Sequence, residues 1–384
     1  MKLRPIHLTT VNRIEQINRQ YGTSIPGEWL GQVLFEIRSL TFDEIDWLQN
    51  KFILNKRNLV ARDIQKGMLL FRPELSQWVS EKPASLQNGL TQMETFFKGL
   101  DLPVWRWANH RILDFNRAPF IMGILNVTPD SFSDGGKFYD TGQAVQHALQ
   151  MVDEGADMID IGGESTRPGA EPVSVEEEMA RVIPVIEAVR QQSNVLISVD
   201  TYKSTIAQKA LEAGADMIND ISGAQFDSRM LNVVKEADCP LIIMHIKGTP
   251  RDMQKNPYYD DVIGEIYAYF EDRLGALSDA GIDKVAIDPG IGFGKRIGDN
   301  LQLLRDLKDF TFLNKPILIG TSRKSFIGAV LQKETDQRLF GSLATQVLAV
   351  QNGAHIVRVH DVAATKDVLK MQQAIIRGSI PEEN

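Results

Sequence analysis

The sequence predicts an α/β fold, a TIM-type (β/α)8 barrel with a smaller N-terminal domain. Two observations support this prediction. Short apolar runs alternate with helix-like stretches from about residue 115 onward, as in a parallel sheet covered by helices. All five tryptophans lie before that point, whereas glycine is dense after it. We therefore expect residues 1–110 to form one domain and residues 111–384 to form the barrel.

The apolar runs supply the expected strands. They lack strict alternation, which indicates strands that are buried on both faces. Eight β/α units in about 265 residues match the usual length of a TIM barrel. A doubly wound open sheet is the alternative, but no GxGxxG pattern follows the first strand. The eight runs are FIMGIL (120–125), MIDIG (158–162), VLISVD (195–200), DMIND (216–220), LIIMH (241–245), KVAID (284–288), PILIG (316–320) and HIVRVH (355–360).

Helical stretches separate these runs. Residues 175–192 carry apolar positions at helical spacing, and residues 203–214 read as a helix that stops at a glycine. The junction Gly-Ala-Asp/His followed by an apolar run recurs at Gly155, Gly214 and Gly353. This recurring junction favours a repeated helix-to-strand unit.

Composition limits the possible classes of function. The chain has 384 residues, 43% hydrophobic and 24% charged, which is a normal globular balance. A formal net charge of −8 argues against nonspecific binding to nucleic acid. Cys239 is the single cysteine, so no intrachain disulfide is possible and we expect a reducing, cytoplasmic location. We expect neither a signal peptide nor a membrane span, because no long uncharged apolar stretch occurs.

Polar residues follow the predicted strands. In a (β/α)8 barrel the carboxyl ends of the strands form one rim, where the active sites of such enzymes lie. We therefore expect residues from distant parts of the chain to meet in one cavity. These residues are Asn126, Glu164, Asp200, Asn219, Asp220, His245, Asp288, Arg358 and His360.

The residues around these strand ends resemble those of the dihydropteroate synthases. The resemblance covers residues 111–378, and residues 1–110 lie outside it. Two positions depart from the expected pattern: Ile291 replaces a common phenylalanine, and Ile246-Lys247 replaces Met-Gln. The matching segments are MGILNVTPDSFSDGG (122–136), DIGGESTRPG (160–169), SVDT (198–201), INDISG (218–223), MHIKGTP (244–250), DPGIGFGK (288–295), GTSRKSFIG (320–328) and RVHDV (358–362).

The resemblance implies a reaction in which 7,8-dihydropterin-6-ylmethyl diphosphate condenses with 4-aminobenzoate, giving dihydropteroate and pyrophosphate. By the same resemblance, Asp200, Asn219 and Asp288 accept hydrogen bonds from the pterin edge. Lys324 reaches the pterin carbonyl and ring nitrogen, and Met244 packs beneath the ring. The alternatives are that both aspartates cap helices and that Lys324 is a solvated surface charge.

The diphosphate carries the negative charge that develops in this reaction. Arg358 and His360 alternate on the last strand, so their side chains share one face, and both resemble the family's diphosphate contacts. Asn126 resembles the residue that holds Mg²⁺ together with the diphosphate, and Asp134 could add a carboxylate. The alternative for Arg358 and His360 is a strand-end salt bridge with Asp361.

Two loops rich in small and polar residues follow the first and second strands. By resemblance, Phe132 and Pro168 shape the aminobenzoate pocket together with Phe293, and Ser325 meets the aminobenzoate carboxylate. Thr166 and Arg167 are expected to contact phosphate. Loop closure would exclude water from the reaction. The alternatives are two ordinary Gly/Pro turns, and for Ser325 a plain helix cap.

Chemistry of this kind requires no strong general base, because an arylamine is already neutral at pH 7. We therefore expect a dissociative mechanism, with a cation stabilised by the dihydropterin nitrogen. His245 is expected to be a strand-end histidine whose hydrogen bonds are satisfied inside the fold. The family resemblance also implies a homodimer.

Two other functions remain open at this point. A pterin-dependent methyltransferase shares the barrel and the pterin-edge carboxylates but handles no diphosphate. A pterin-binding regulator would use the N-terminal region as its output, although Asn126, Lys324 and Arg358 are all present. The N-terminal region itself could be an interaction module, a dimer-stabilising extension or a degenerate enzyme domain.

Overall fold

The computed structural model divides the chain into two compact units. The N-terminal unit comprises Met1–Asp101 and Lys308–Asn314, and the barrel unit comprises Leu102–Leu307 and Lys315–Asn384. The boundary thus lies nine residues before the position expected from the sequence, and a short segment from late in the chain joins the N-terminal unit. The residues described are 2–41, 43–44, 59–63, 68–71, 91–93, 95–96, 98, 101–117, 119–128, 141–166 and 169–379.

The N-terminal unit contains an antiparallel sheet of order β1-β2-β4-β3, formed by β1 (Lys2–His7), β2 (Val33–Arg38), β3 (Leu59–Asp63) and β4 (Met68–Phe71). Helix α1 (Val11–Tyr21) connects β1 to β2. It begins where the Thr10 side chain accepts from the Arg13 N–H, as a polar N-cap does. Its apolar face packs Ile14 and Ile17 against the sheet in one buried cluster.

A two-stranded hairpin precedes the barrel. Strands β5 (Trp105–Trp107) and β6 (Arg111–Leu113) pair antiparallel. Trp105, Leu113 and Phe115 pack against residues near the amino ends of the barrel strands, such as Met122 and Met158. The hairpin therefore closes the end of the barrel that lies opposite the strand carboxyl ends.

All eight predicted runs form parallel strands of one sheet, which confirms the barrel. The sheet order is β12-β11-β10-β9-β8-β7-β14-β13, and a parallel bridge between Ile287 and Ile317 joins its two edges. The inward residues are largely apolar, as expected for a filled barrel. The strands are β7 (Phe120–Asn126), β8 (Met158–Gly162), β9 (Leu196–Asp200), β10 (Met217–Asp220), β11 (Leu241–Met244), β12 (Val285–Asp288), β13 (Leu318–Ile319) and β14 (Ile356–Val359).

Helices follow the strands. The predicted helix at residues 175–192 is confirmed, and it begins at Ser174, whose side chain accepts from the Glu177 N–H. Gly155, Gly214 and Gly353, at the recurring helix-to-strand junction, all have positive φ angles, of 99°, 110° and 101° respectively. The helices described are α2 (Thr141–Asp153), α3 (Val175–Gln192), α4 (Ser204–Glu212), α5 (Met230–Ala237), α6 (Val262–Asp279), α7 (Ile297–Arg305), α8 (Ser325–Leu331), α9 (Leu339–Gln351) and α10 (Val362–Arg377).

Among the residues that the structure describes, none of the helices is both long enough and apolar enough to cross a bilayer.

Candidate active site

The carboxyl ends of neighbouring strands place polar residues at one level of the barrel. Asn126 on β7 is in register with Gly162 on β8, Gly162 with Asp200 on β9, and Asp200 with Asn219 on β10. Residues in register on parallel strands point to the same side of the sheet. Side chains from positions 126, 200 and 219 therefore belong to one layer at the rim.

Arg358 on β14 connects this layer to the strands across the barrel. Its Nε donates to Asp160 Oδ2 at 2.6 Å, and its Nη2 donates to Asp200 Oδ2 at 2.8 Å. Asn219 Nδ2 also donates to Asp160 Oδ2, at 3.0 Å. Four strands thus converge on one hydrogen-bonded cluster, named here the rim cluster: Asp160, Asp200, Asn219 and Arg358. Asp361 pairs with Arg323, whereas Arg358 pairs with Asp160 and Asp200 and not with Asp361 as considered above.

Burial shapes the charges of the rim cluster. It raises the pKa of Asp200 to about 7, an effect that Arg358 opposes and that Asp160 reinforces. Burial disfavours the charged form of Arg358, but Asp160 and Asp200 outweigh it and raise the pKa of Arg358. The arginine thus stays charged, while the Asp200 carboxyl changes protonation near neutral pH. Carboxyl groups with strongly shifted pKa values are concentrated at functional sites, and Asp200 lies at the rim of the barrel.

A second cluster lies around Asp288, at the end of β12. The Asp288 carboxylate accepts from the Gly290 N–H at 2.8 Å, so it orders the loop after its own strand and does not cap a helix. Burial raises the pKa of Asp288, and the charge of Lys324 opposes that rise. Burial also lowers the pKa of Lys324 to about 8, which Asp288 opposes.

Lys324 faces the loop of residues 289–295. Its Nζ donates to the Ile291 carbonyl oxygen and lies 4.8 Å from the centroid of the Phe293 ring. The side chain is half-buried, so the structure does not support the alternative of a solvated surface lysine. A Cβ at Gly320 would lie 3.8 Å from Lys324 Nζ and 3.7 Å from Arg358 Cβ, which are ordinary contact distances, so both cationic side chains lie beside this position at the rim.

A second lysine, which the sequence analysis did not single out, supports the same loop from inside. Lys295 is almost completely buried, and its Nζ lies 3.0 Å from His245 Nδ1 and donates to the Phe293 carbonyl at 2.9 Å. Burial lowers the pKa of Lys295 well below its usual value, with Asp288 opposing this change. His245 is buried and has a partner, as predicted for a satisfied strand-end histidine. The loop approaches it closely, because a Cβ at Gly290 would lie 2.0 Å from the His245 carbonyl oxygen.

The loop after β8 is held by a partly buried ion triad that the sequence analysis also missed. Lys203 Nζ contacts Glu164 Oε2 at 2.5 Å and Glu178 Oε2 at 2.6 Å, and it donates to the Val173 carbonyl at 2.6 Å. Glu164 lies two residues after the end of β8, and Val173 lies just before α3, so one lysine joins both ends of the loop. Lys203 follows strand β9 without any motif that distinguishes it from a surface lysine.

The remaining predicted residues occupy the same end of the barrel. Met244 ends β11 and is buried, whereas Thr166 is half-buried in the loop after β8. His360 follows β14, and its Nδ1 lies 3.1 Å from Ser322 Oγ. Ser325 is exposed and is the first residue of α8, whose N-cap is Lys324. Four residues of the prediction, Phe132, Asp134, Arg167 and Pro168, lie outside the described residues.

Comparisons with known proteins agree with this geometry. The family described as pterin binding enzyme matches residues 122–360. The dihydropteroate synthase of Haemophilus influenzae is 50% identical over 270 residues, which are 70% of this chain and 98% of that protein.

Solved structures give the same result. A dihydropteroate synthase from Yersinia pestis, in complex with a sulfonamide drug, aligns with a TM-score of 0.68 and 43% identity over 72% of this chain and 100% of that one. A dihydropteroate synthase from Xanthomonas albilineans with 4-aminobenzoic acid aligns with a TM-score of 0.67 and 47% identity, covering 72% of this chain and 98% of that one. The chain therefore belongs to the dihydropteroate synthase family of pterin-binding transferases, and its function is the synthesis of dihydropteroate in folate biosynthesis.

Proposed function

We propose that the strand-end residues described above are the site at which 7,8-dihydropterin-6-ylmethyl diphosphate condenses with 4-aminobenzoate. The observation that carries this proposal is the convergence of acceptors and cations on one rim. Asp200 and Asn219 lie in one layer, and Arg358 contacts Asp200 directly. The site thus offers acceptors for a donor-rich ring beside cations for a diphosphate.

The pterin is bound by the acceptors. Its ring presents several N–H donors along one edge, and Asp200, Asn219 and Asp288 supply oxygens from three strand ends. An enzyme that hydrogen-bonds such an edge discriminates strongly against rings that leave its buried acceptors unpaired. Lys324 donates to the pterin carbonyl and ring nitrogen, after leaving the Ile291 carbonyl that it contacts in the structure. Met244 forms the apolar floor beneath the ring.

The diphosphate is bound by the cations. Arg358 and His360 contact its oxygens, and Thr166 and Arg167 complete the contacts from the loop after β8. Negative charge grows on the leaving group as the C–O bond breaks, so fixed positive charge here lowers the barrier. This local positive field is required because the chain carries a net charge of −8.

Mg²⁺ fits the donor set at this rim. The Asn126 side chain offers a neutral oxygen at the end of β7. Asn126 is in register with Gly162, the last residue of β8. No three His, Cys, Asp or Glu side chains cluster as a metal site in the described part of the chain. Mg²⁺ suits such a site, because it keeps several waters and takes substrate phosphate oxygens as ligands. When bound, the ion neutralises charge on the leaving diphosphate, with Asn126 and, from the loop after β7, Asp134 as its protein ligands.

The 4-aminobenzoate lies toward the outer side of the pterin. Ser325, at the start of α8, meets its carboxylate, and Phe293 forms one wall of its pocket. Phe132 and Pro168 complete the pocket from the two loops. These loops exclude water, which would otherwise capture the reactive carbon.

The bond changes follow from these contacts. The C–O bond between the methylene carbon and the diphosphate breaks first, and the ring nitrogen stabilises the resulting cation. The arylamine nitrogen then forms the new C–N bond and releases its proton to solvent. A secondary isotope effect at the methylene carbon that is clearly above unity is expected, and a value near unity would contradict this order.

The partners are small molecules and a second copy of this chain. The structure of the Xanthomonas albilineans relative with 4-aminobenzoic acid supports the first part. Exposed apolar side chains on α8, α9 and α10 support a homodimer, since large exposed patches usually mark interfaces. Phe340→Asp should therefore yield a monomer in light scattering, whereas Ile112→Asp, on the hairpin, should not. The exposed side chains are Val330, Leu331, Phe340, Leu348, Met371, Ile375 and Ile376.

We propose no reaction step for the N-terminal domain, residues 1–110 of the sequence-based division. We also propose that the enzyme is cytoplasmic, without nucleic-acid or membrane partners, because its substrates are small and its one cysteine, Cys239, is a buried free thiol.

One assay tests the proposed site and reaction. The purified chain is mixed with dihydropterin diphosphate, 4-aminobenzoate and Mg²⁺, and pyrophosphate release is followed. Release that requires 4-aminobenzoate is expected, and it should fall strongly in Arg358→Met. Release that is independent of 4-aminobenzoate, or that survives this substitution unchanged, would contradict the proposal.

A further inference from the structure

One acidic side chain lies one layer below the rim. Asp160 is the third residue of β8 and is completely buried. It stands in register with Ile124 on β7 and Ser198 on β9, among the apolar residues of a filled barrel. A buried carboxylate is costly unless it is paired and hydrogen-bonded, so its contacts explain its presence.

Asp160 orients two residues of the rim with one oxygen. Its Oδ2 accepts from Arg358 Nε at 2.6 Å and from Asn219 Nδ2 at 3.0 Å. A carboxylate only accepts hydrogen bonds, so the NH2 group of Asn219 must face Asp160. The carbonyl oxygen of Asn219 is then turned away from Asp160, as an acceptor for a ligand.

Because Asp160 binds Arg358 Nε, the guanidinium of Arg358 is shared between two carboxylates. An arginine can bind one carboxylate through two parallel N–H bonds. Here Nε goes to Asp160 and Nη2 to Asp200, so Asp200 receives a single bond from Arg358. Asp200 Oδ1 takes no part in this pairing, and Arg358 stays paired with Asp160 when Asp200 turns to a ligand.

We propose that Asp160 is a positioning residue of dihydropteroate synthesis, which fixes the plane of Arg358 and the amide orientation of Asn219 without touching substrate. This inference rests on the function proposed above for the rim cluster. Ser198, the register neighbour of Asp160 on β9, is a neutral residue, so of these two neighbours only Asp160 carries a charge.

The electrostatics give this role a signature in the pH profile. Asp200, whose pKa burial raises to about 7, faces Arg358 from β14, Asp160 from β8, Glu178 from α3 and Asp220 from β10. Asp160 raises the pKa of Asp200, so removing its charge lowers that pKa. Since the ionised Asp200 binds the pterin, the acid limb of kcat/KM must then move to lower pH.

Two substitutions separate geometry from charge. In Asp160→Asn, the amide oxygen can replace Oδ2 toward both partners, so mainly the charge is lost. We expect an acid limb near pH 7 in the unaltered enzyme and a limb at lower pH in Asp160→Asn. In Asp160→Ala both partners lose their anchor, and kcat/KM should fall by about 100-fold, the loss that a displacement of about 1 Å can cause. Asp153→Asn, at an exposed position on α2, is the control and should change neither quantity.

Circular dichroism establishes that each variant is folded, and if Asp160→Ala does not fold, the acid limb of Asp160→Asn decides alone. An acid limb that stays in place in Asp160→Asn would overturn the positioning role, as would a loss below twofold in folded Asp160→Ala. Failure of the underlying function is distinct, because the unaltered enzyme would then release no pyrophosphate in a 4-aminobenzoate-dependent manner.

Discussion

The N-terminal unit and the barrel unit both bury charged side chains, but they use them differently. In the N-terminal unit, Asp309 is completely buried, and both of its oxygens have strong donors. Oδ1 accepts from the His7 N–H at 2.9 Å and lies 2.8 Å from His7 Nδ1, and Oδ2 accepts from Arg13 Nη2 at 3.0 Å. This carboxylate has little capacity left for a ligand.

The rim of the barrel unit leaves such capacity open. Asp200 receives a single bond from Arg358, at Oδ2, and its Oδ1 takes no part in that pairing. Burial raises the pKa of Asp200 to about 7, so this carboxyl is poised near neutral pH. A saturated ion pair is typical of a structural role, whereas a buried carboxyl with a strongly shifted pKa is typical of a functional site.

The ion pair between Asp309 and Arg13 also explains why a short segment from late in the chain belongs to the N-terminal unit. Asp309 lies in Lys308–Asn314, which the chain places between α7 and β13. Phe312 of the same segment packs edge-on against Phe35 at 5.5 Å and Phe96 at 5.3 Å between ring centroids. The N-terminal unit therefore completes its core with residues that lie more than two hundred positions away in the chain.

The largest expected effect is a loss of stability when the ion pair between Asp309 and Arg13 is broken. Asp309→Ala leaves Arg13 buried without its carboxylate, so the free energy of unfolding should fall by about 3–5 kcal/mol. Chemical denaturation measures this change, and kcat/KM of the folded protein should stay within twofold. Asp101→Ala, at an exposed position of the same unit, should change stability by no more than about 0.5 kcal/mol. A loss below about 1 kcal/mol for Asp309→Ala would remove the contrast between the two units.

An intermediate effect is expected on activity at the rim. Lys324→Met should lower kcat/KM by about 100-fold, or about 2.7 kcal/mol of transition-state stabilisation. Steady-state kinetics with both substrates tests this, and Lys333→Met, at an exposed position just beyond α8, is the control. Unchanged kcat/KM would show that Lys324 does not contact the pterin.

The same variant should change how stability depends on pH. Burial lowers the folded-state pKa of Lys324 to about 8, below its ordinary value of 10.5. Between these values the unfolded chain binds the extra proton, so stability rises with pH relative to Lys324→Met. Below pH 8 the burial of the charge destabilises the unaltered protein in full. Denaturation at several pH values should show this difference, and parallel curves would contradict it.

The smallest effect is expected at the base of the loop after β8. Lys203→Met removes the group that joins Glu164 to the Val173 carbonyl, so the loop should position substrate less well. KM for 4-aminobenzoate should rise by about tenfold, the equivalent of about 1.4 kcal/mol, with kcat little changed. Lys209→Met on α4, the helix that Lys203 directly precedes, should leave KM unchanged, because this lysine pairs with Glu212 at the surface. Equal kinetics for both variants would contradict an anchoring role for Lys203.

Much of the barrel was predictable because its signals are local. Each strand appears as a short apolar run, and the polar residue at its end marks the rim. Asp160 also left a trace, a charged residue inside the run MIDIG, but a single strand does not reveal its partners. Lys203 left no such trace, and Lys295 appears only as the last residue of the segment DPGIGFGK, because the sequence does not distinguish a lysine with buried partners from an exposed one.

The sequence by itself determined which residues lie at the strand ends, which end of the barrel is polar and that Arg358 and His360, two positions apart, lie at the end of the last strand. Only the tertiary structure decided that Arg358 divides its guanidinium between Asp160 and Asp200, and that Asp309 serves the N-terminal unit. The physical reason is one of range. Strand and helix periods are set by neighbours along the chain, whereas the partner of a buried charge is set by register and burial across distant segments.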